Sequence, residues 1–464
     1  VRVRPDNPPE RPPQNVAAAV APSGYCRLTM KRSTRRASLA NGLTVVTEQM
    51  PSVRSVSLGV WVKMGSRFES PGQAGISHFI EHMLFKGTAT RSARDIAFVI
   101  DAMGGQLDAF TTKEHACYYA TVLDDHAEAA FDLVSDIVLH PLFDAVEMER
   151  ERTVILEELA AVEDSPEERL WEEFVATFWL DHPLGIPILG TRETVEALHR
   201  DDLQAFFQRA YEPANVVVAA SGHLDHDEML AFVETRFGAL GNGGAAPATS
   251  PPRPFQHFRI LRREELEQVH VSVGCPAPPA TSDERYAAYV LNAILGGSIS
   301  SRLFQRIREE HGLAYNVYSA LETYADAGCF WIYAATRADA AATVLDLVVE
   351  ELGILCDLPV PDDELSRMQE HLKGNFMLGL ESTAGRMSSL AVQEMYFGET
   401  FEMDEILAGI DAVDADAVQQ LAQISFADGG ICLDVMAQRA AADELTDRFA
   451  DGLVLPGGAR LTPA

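Results

Sequence analysis

Hydrophobic and polar positions divide the chain into strands of period two and helices of period 3.6, in an order that runs twice. Folded structure is expected to open at Leu43-Thr-Val-Val-Thr. Val56, Leu58, Val60 and Val62 then alternate with Ser55, Ser57, Gly59 and Trp61, the pattern of a half-buried strand. A Gly/Ser/Pro loop from Met64 leads to a helix beginning at Gly75, and a second helix near 91–103 ends at Gly104-Gly105. Strands are predicted over 106–112 and 116–123, with a helix from about 125 to 139. A long helical pattern over 144–179 breaks only at Asp164-Ser-Pro166. A helix near 200–211, a strand at 215–221 and a helix near 226–238 complete the half. Gly241-Asn-Gly-Gly-Ala-Ala-Pro-Ala-Thr-Ser-Pro-Pro252 then reads as a linker. Beyond it the order restarts: a strand at 269–273, helices near 282–295 and 300–311, and strands near 314–322 and 328–335. Helices near 338–356 and across 361–423 and a strand at 430–436 follow. The repetition predicts a duplicated α+β unit, two similar halves of mixed or antiparallel sheet packed with helices.

The helix beginning at Gly75 carries the chemistry. At about 100° per residue, Ile76, Phe79, Ile80, Met83 and Leu84 form one apolar stripe. His78, Glu81 and His82 lie on the opposite side. Histidines at i and i+4 stack, so two imidazoles can converge on one ion with a carboxylate beside them. This is the H-x-x-E-H arrangement, the reverse of the zinc-peptidase H-E-x-x-H. A lone histidine is more often structural than a ligand. Here the polar trio turns away from the core stripe, which favours a metal.

Composition narrows the partners. The net charge of −32 excludes nucleic acid as the main partner, because phosphate binding needs a basic face, while it permits cationic substrates. No apolar run reaches the ~18 residues of a membrane span. Six cysteines (26, 117, 275, 329, 356 and 432) lie far apart, mostly in apolar surroundings. They read as buried free thiols in a reducing compartment. Residues 1–37, rich in Pro and Arg and without the apolar core of a secretory signal, are expected to be a disordered tail.

A catalytic zinc takes three protein ligands and leaves a position for water. Two histidines on one helix therefore need a third ligand, and a carboxylate is the usual one. Residues 144–173 hold 12 Asp or Glu and three Arg, so many candidates exist and physics alone does not choose. The segment Glu149-Arg-Glu-Arg-Thr-Val-Ile-Leu-Glu-Glu-Leu159, together with His78-Phe-Ile-Glu-His82, resembles the pitrilysin/insulinase family of zinc peptidases. Within it, the likeness is to the branch of the mitochondrial processing peptidase β subunit and its bacterial relatives. The resemblance spans about residues 40–440. It implies Glu158, 76 positions after His82, as third ligand, and Glu151 as a glutamate supporting the site. It also implies that Asp108, Ala109 and Phe110 lie on the strand along which substrate is laid, although the family usually has Asn where this chain has Asp108. Arg308 and Tyr315 match the family's Arg and Tyr that hydrogen-bond the substrate carbonyl. Asp181-His-Pro-Leu-Gly185 matches too, and His182 there reads as structural.

The expectation is a zinc metalloendopeptidase with one Zn²⁺ per chain, acting on peptides or unfolded segments, basic ones preferred. His78, His82 and Glu158 hold the ion, Glu81 is the general base, and the two halves form a clam-like chamber. The divisions are a tail at 1–37, a zinc-binding half at 38–240, a linker at 241–255, a substrate-binding half at 256–456 and a tail at 457–464. A homodimer, or a heterodimer with a related subunit, is compatible with this reading. A bacterial cytoplasm is the expected location, with the mitochondrial matrix as alternative. The rival function is a non-catalytic scaffold or peptide-holding subunit, whose relatives have usually lost the ligands or the base that this chain keeps.

Overall fold

The computed structural model describes residues 33–241, 244, 250–427 and 430–463. The first sheet contains β1 (Ser33–Ser38), β2 (Thr44–Gln49), β3 (Ser55–Val62), β4 (Gln106–Thr111), β5 (Ala116–Leu123) and β6 (Val216–Gly222). Its order is β1-β2-β6-β3-β5-β4, with β2 and β6 parallel and the other neighbours antiparallel. The second sheet contains β7 (Phe258–Arg262), β8 (Val269–Ala277), β9 (Ala314–Thr323), β10 (Gly328–Thr336) and β11 (Cys432–Ala437). Its order, β7-β11-β8-β10-β9, repeats β2-β6-β3-β5-β4 strand for strand and again contains one parallel pair, β7 with β11. The duplication read from the pattern is thus a repeat of topology.

Two helices tie the halves together reciprocally. A helix at Pro166–Phe178, from the first half, lies on β8 and β11 of the second sheet. A helix at Thr383–Phe397, from the second half, lies on β2, β3 and β6 of the first. Leu170, Phe174 and Phe178 join Trp331, Tyr333 and Met436 in one apolar cluster, and Met387 and Ala391 join Trp61 and Val217 in another. Each crossing passes over a glycine. A side chain at Gly274 would run into the Phe174 ring, and one at Gly59 would lie 3.2 Å from Met387 Sδ.

These helices explain why β3 departs from its expected half-burial: Ser57 is fully buried and Trp61 is 1% exposed, because both faces of the sheet are covered. Ser57, Gly59 and Trp61, which alternate with the apolar residues of β3, face the helix Thr383–Phe397 and not water.

Other boundaries also shift. The strand β1 lies inside the segment expected to be a tail. It has almost no apolar residue and is held by its backbone pairing with β2 and by ion pairs Arg35–Asp227 and Arg36–Glu394, both at 2.8 Å. The tail expectation for 1–32 lies outside the described residues. A helix at Arg439–Arg448 closes the second half, and Arg460–Leu461, paired with Leu453–Val454, carries the fold into the segment expected to be a tail at 457–464. The strand β7 escaped notice because its polar arginines interrupt the apolar pattern. The helix expected over 300–311 is π-wound at Phe304–Glu310.

Candidate active site

The histidine helix spans Ile76–Leu84. Ile76, Phe79, Ile80, Met83 and Leu84 are all buried in the core of the first half, as the stripe required. Its partner is the acidic helix Ala145–Asp164, started by Asp144, whose carboxylate accepts from the Val146 and Glu147 amides. Only Met148, Glu151 and Ile155 of this helix are buried. That narrow stripe faces the histidine helix, and Glu158, seven residues after Glu151, continues it outward.

Among the described residues, one group of three or more His, Cys, Asp or Glu side chains could hold a metal ion: His78, His82 and Glu158. Their donor atoms all lie within 4.8 Å of one another. Glu158 Oε2 is 3.6 Å from His78 Nε2 and 3.6 Å from His82 Nε2. Ligand atoms ~2.1 Å from a tetrahedral zinc are ~3.4 Å apart, so the spacing fits such an ion with little movement. The tautomer fits as well. His82 Nδ1 donates to Glu151 Oε2 at 3.0 Å, leaving the Nε2 lone pair free. Lys86 Nζ lies 2.7 Å from Glu151 Oε1, an ion pair that fixes the carboxylate beside His82. His78 has no such support: its Nδ1 is buried without a hydrogen-bond partner. Burial, with the neighbouring His82, pushes His78 down to about 4, so it stays neutral and able to ligate near neutral pH.

Glu81 stands beside this cluster, and Thr111 Oγ1 of β4 donates to its Oε2 at 2.5 Å. Burial raises the Glu81 carboxyl above its ordinary value while the Thr111 bond pulls it back. A carboxylate oriented in this way can accept a proton from a neighbouring water.

Asp108, Ala109 and Phe110 lie on β4, the last strand of its sheet, paired on one side by β5. The Asp108 carboxylate accepts from the Ala109 amide at 2.8 Å, and the Phe110 ring meets Trp61 edge-on at 5.4 Å. Arg308 and Tyr315 are brought together, with the guanidinium carbon 4.6 Å from the ring centroid. Tyr315 is 81% exposed. Neither residue makes a hydrogen bond, ion pair or ring contact with His78, His82 or Glu158 among the described residues. His182 has a structural part: its Nδ1 accepts from the Leu184 amide at 3.1 Å and its Nε2 lies 2.9 Å from the Ser250 carbonyl.

Sequence reasoning missed Thr111, Lys86 and Glu69. Lys86 was within reach, four positions after His82. Thr111 was not, because its role exists only once β4 lies beside the helix. Glu69 accepts from the Gly75 and Ser77 amides, both at 2.8 Å, at the start of the histidine helix.

Two domain families match the chain: residues 44–192 match "Insulinase (Peptidase family M16)" and residues 197–372 match "Peptidase M16 inactive domain". An uncharacterized zinc protease of Mycobacterium leprae is 43% identical over 408 residues, covering 87% of this chain and 90% of the relative. The uncharacterized zinc protease YmxG of Bacillus subtilis is 40% identical, over 84% of this chain and 95% of its own length. A Helicobacter pylori protease of known structure superposes with a TM-score of 0.81 at 20% identity, over 87% of this chain and 99% of that one.

Proposed function

Since the chain belongs to the insulinase family of peptidases, peptidase family M16, we propose that it is a zinc metalloendopeptidase acting on peptides or extended segments of unfolded proteins. The observation that carries this is the cluster of His78, His82 and Glu158 at ligand spacing with Glu81 beside it. His78, His82 and Glu158 would hold one Zn²⁺. When bound, such an ion polarises a carbonyl and makes water acidic enough to ionise near neutral pH. Glu81 takes a proton from the attacking water and delivers it to the leaving amine, and Thr111 keeps its carboxylate turned to that task. Glu151, backed by Lys86, holds His82 in the tautomer that ligates.

The free edge of β4 at Asp108, Ala109 and Phe110 offers backbone groups to an extended substrate. Arg308 and Tyr315 supply charged and phenolic donors for its carbonyl, in a chamber formed by one chain or completed by a second copy. The strongly acidic chain favours peptides carrying Arg or Lys. The five cysteines among the described residues, all free and buried, and the bacterial relatives support a bacterial cytoplasmic setting. That His78, His82, Glu158 and Glu81 are all kept speaks against the scaffold reading.

The test is Glu81→Gln, measured for zinc content and for hydrolysis of quenched-fluorescent peptides. Hydrolysis is expected to fall by about 10²–10⁴-fold with zinc retained. Full activity in that variant rejects the mechanism.

A further inference from the structure

The loop between β3 and the histidine helix holds a node that joins the two halves. Arg67 is 2% exposed, so its charge has to be matched inside the protein. Its guanidinium donates to Asp326 Oδ1 and Oδ2 at 2.7 and 2.6 Å, a two-pronged pair with the β9–β10 turn of the second half. It also donates to Glu114 Oε1, at the β4–β5 turn, at 2.7 Å. The Arg67 backbone is fastened as well, its amide bonding the Lys113 carbonyl at 2.7 Å.

Two residues further on, Glu69 is 4% exposed and accepts from the Gly75 and Ser77 amides. Those are leading N–H groups of the histidine helix, and its own N-cap residue, Gly75 at φ +91°, has no side chain to satisfy them. The residue after Ser77 is His78. A second route leaves the same node. Glu114 Oε2 accepts from Tyr396 Oη at 2.7 Å and from the Ala325 amide at 2.9 Å, both in the second half. The hairpin so anchored carries Thr111, which holds Glu81.

Resting on the reading of His78, His82 and Glu81 given above, we propose that Asp326 of the second half is a positioning residue for the metal helix of the first, acting through Arg67 and Glu69. The half that lacks the metal motif then has a part in the chemistry besides substrate contact: it sets where the histidine helix starts and how Glu81 is held. Asp326 touches neither substrate nor reacting atoms, so its effect should appear in turnover and in the order of the helix start, with little change in substrate affinity.

The experiment uses the full chain with Asp326→Ala, Asp326→Asn and Asp326→Glu. Arg36→Ala serves as control, because the Arg36–Glu394 pair also spans the halves, at 2.8 Å, and sits on the helix that carries Tyr396, yet it shares no hydrogen-bond partner with Arg67, Asp326 or Glu114 among the described residues. Hydrogen exchange of the amides over 75–80 is read in metal-free protein, and kcat, KM and the rate of zinc release to a chelator in the loaded enzyme. In Asp326→Ala, exchange at Gly75 and Ser77 is expected to quicken roughly ten-fold, kcat to fall about ten-fold and KM to change less than about two-fold. Asp326→Asn should fall between, Asp326→Glu should recover most of the loss, and Arg36→Ala should match the parent in all three. If Asp326→Ala does not fold, the same ordering is read from the milder Asp326→Asn. Unchanged exchange and kcat in the Asp326 variants, or an equal disturbance in Arg36→Ala, overturns the proposal. Because the exchange readout needs neither zinc nor hydrolysis, a parent protein without peptidase activity would reject the function while the coupling is still decided.

Discussion

The two halves place a helix after equivalent strands, β3 and β8, and the two helices differ in what they do with their outer face. In the first half, Ile76–Leu84 buries one stripe and leaves His78, Glu81 and His82 partly exposed, the histidines beside the acidic helix and Glu81 beside β4. In the second, Arg285–Leu295 buries Ala287, Ala288, Val290, Leu291, Ala293, Ile294 and Leu295, apolar on nearly every side. The sheets and the order of chain segments are alike, so topology does not make the site. The cluster arises from one helix face that stays polar and from a neighbouring helix that brings a carboxylate to it. The second half is not idle: its β9–β10 turn and the helix carrying Tyr396 reach the node beside the histidine helix.

The contrast can be broken most severely at the cluster of His78, His82 and Glu158. Glu158→Gln should release zinc and reduce hydrolysis to background, while circular dichroism stays that of the parent; zinc retained at full stoichiometry would remove Glu158 from the ligand set. The second half is tested next. Arg308→Ala should lower kcat/KM by roughly 10–100-fold with zinc content unchanged, and an unaltered kcat/KM would confine the chemistry to the first half. Lys86→Met leaves Glu151 without its cation and His82 less firmly held. Zinc affinity, measured by chelator competition, should weaken about ten-fold.

The smallest effect concerns pH. Burial pushes Glu69 up to about 7 from an ordinary 4.5, so the folded protein holds this proton where the unfolded chain has released it. Folding stability through this group therefore falls as pH rises from 4.5 to about 7 and is level above that, with a slope of at most ~1.4 kcal/mol per pH unit. Urea titrations of Glu69→Gln against the parent should show a flatter curve in that window. Parallel curves would mean that Glu69 does not titrate there.

Much of the site was legible because its parts lie close in sequence. The H-x-x-E-H spacing and the apolar stripe opposite it are local properties of a helix of 3.6 residues per turn. The choice of Glu158 among the many acids of its segment came from resemblance. The buried stripe at Met148, Glu151 and Ile155 supplies the physical reason, since it shows which face of that helix meets the histidines. Strand β1 was not legible because polar edge strands depend on backbone pairing. The crossing helices were visible as helices, but nothing local told which sheet each would cover.

By itself the sequence determined the helices and strands with strong periodicity, their repeated order, and the placing of two imidazoles and a carboxylate on one helix face, because each depends on contacts a few residues apart. Only the tertiary structure decided that Thr111 holds Glu81, that Lys86 backs Glu151 and that Asp326 reaches Arg67 from the other half. Those contacts depend on how separate elements pack, and a buried charge or carboxylate takes whichever partner the packing brings within hydrogen-bond reach.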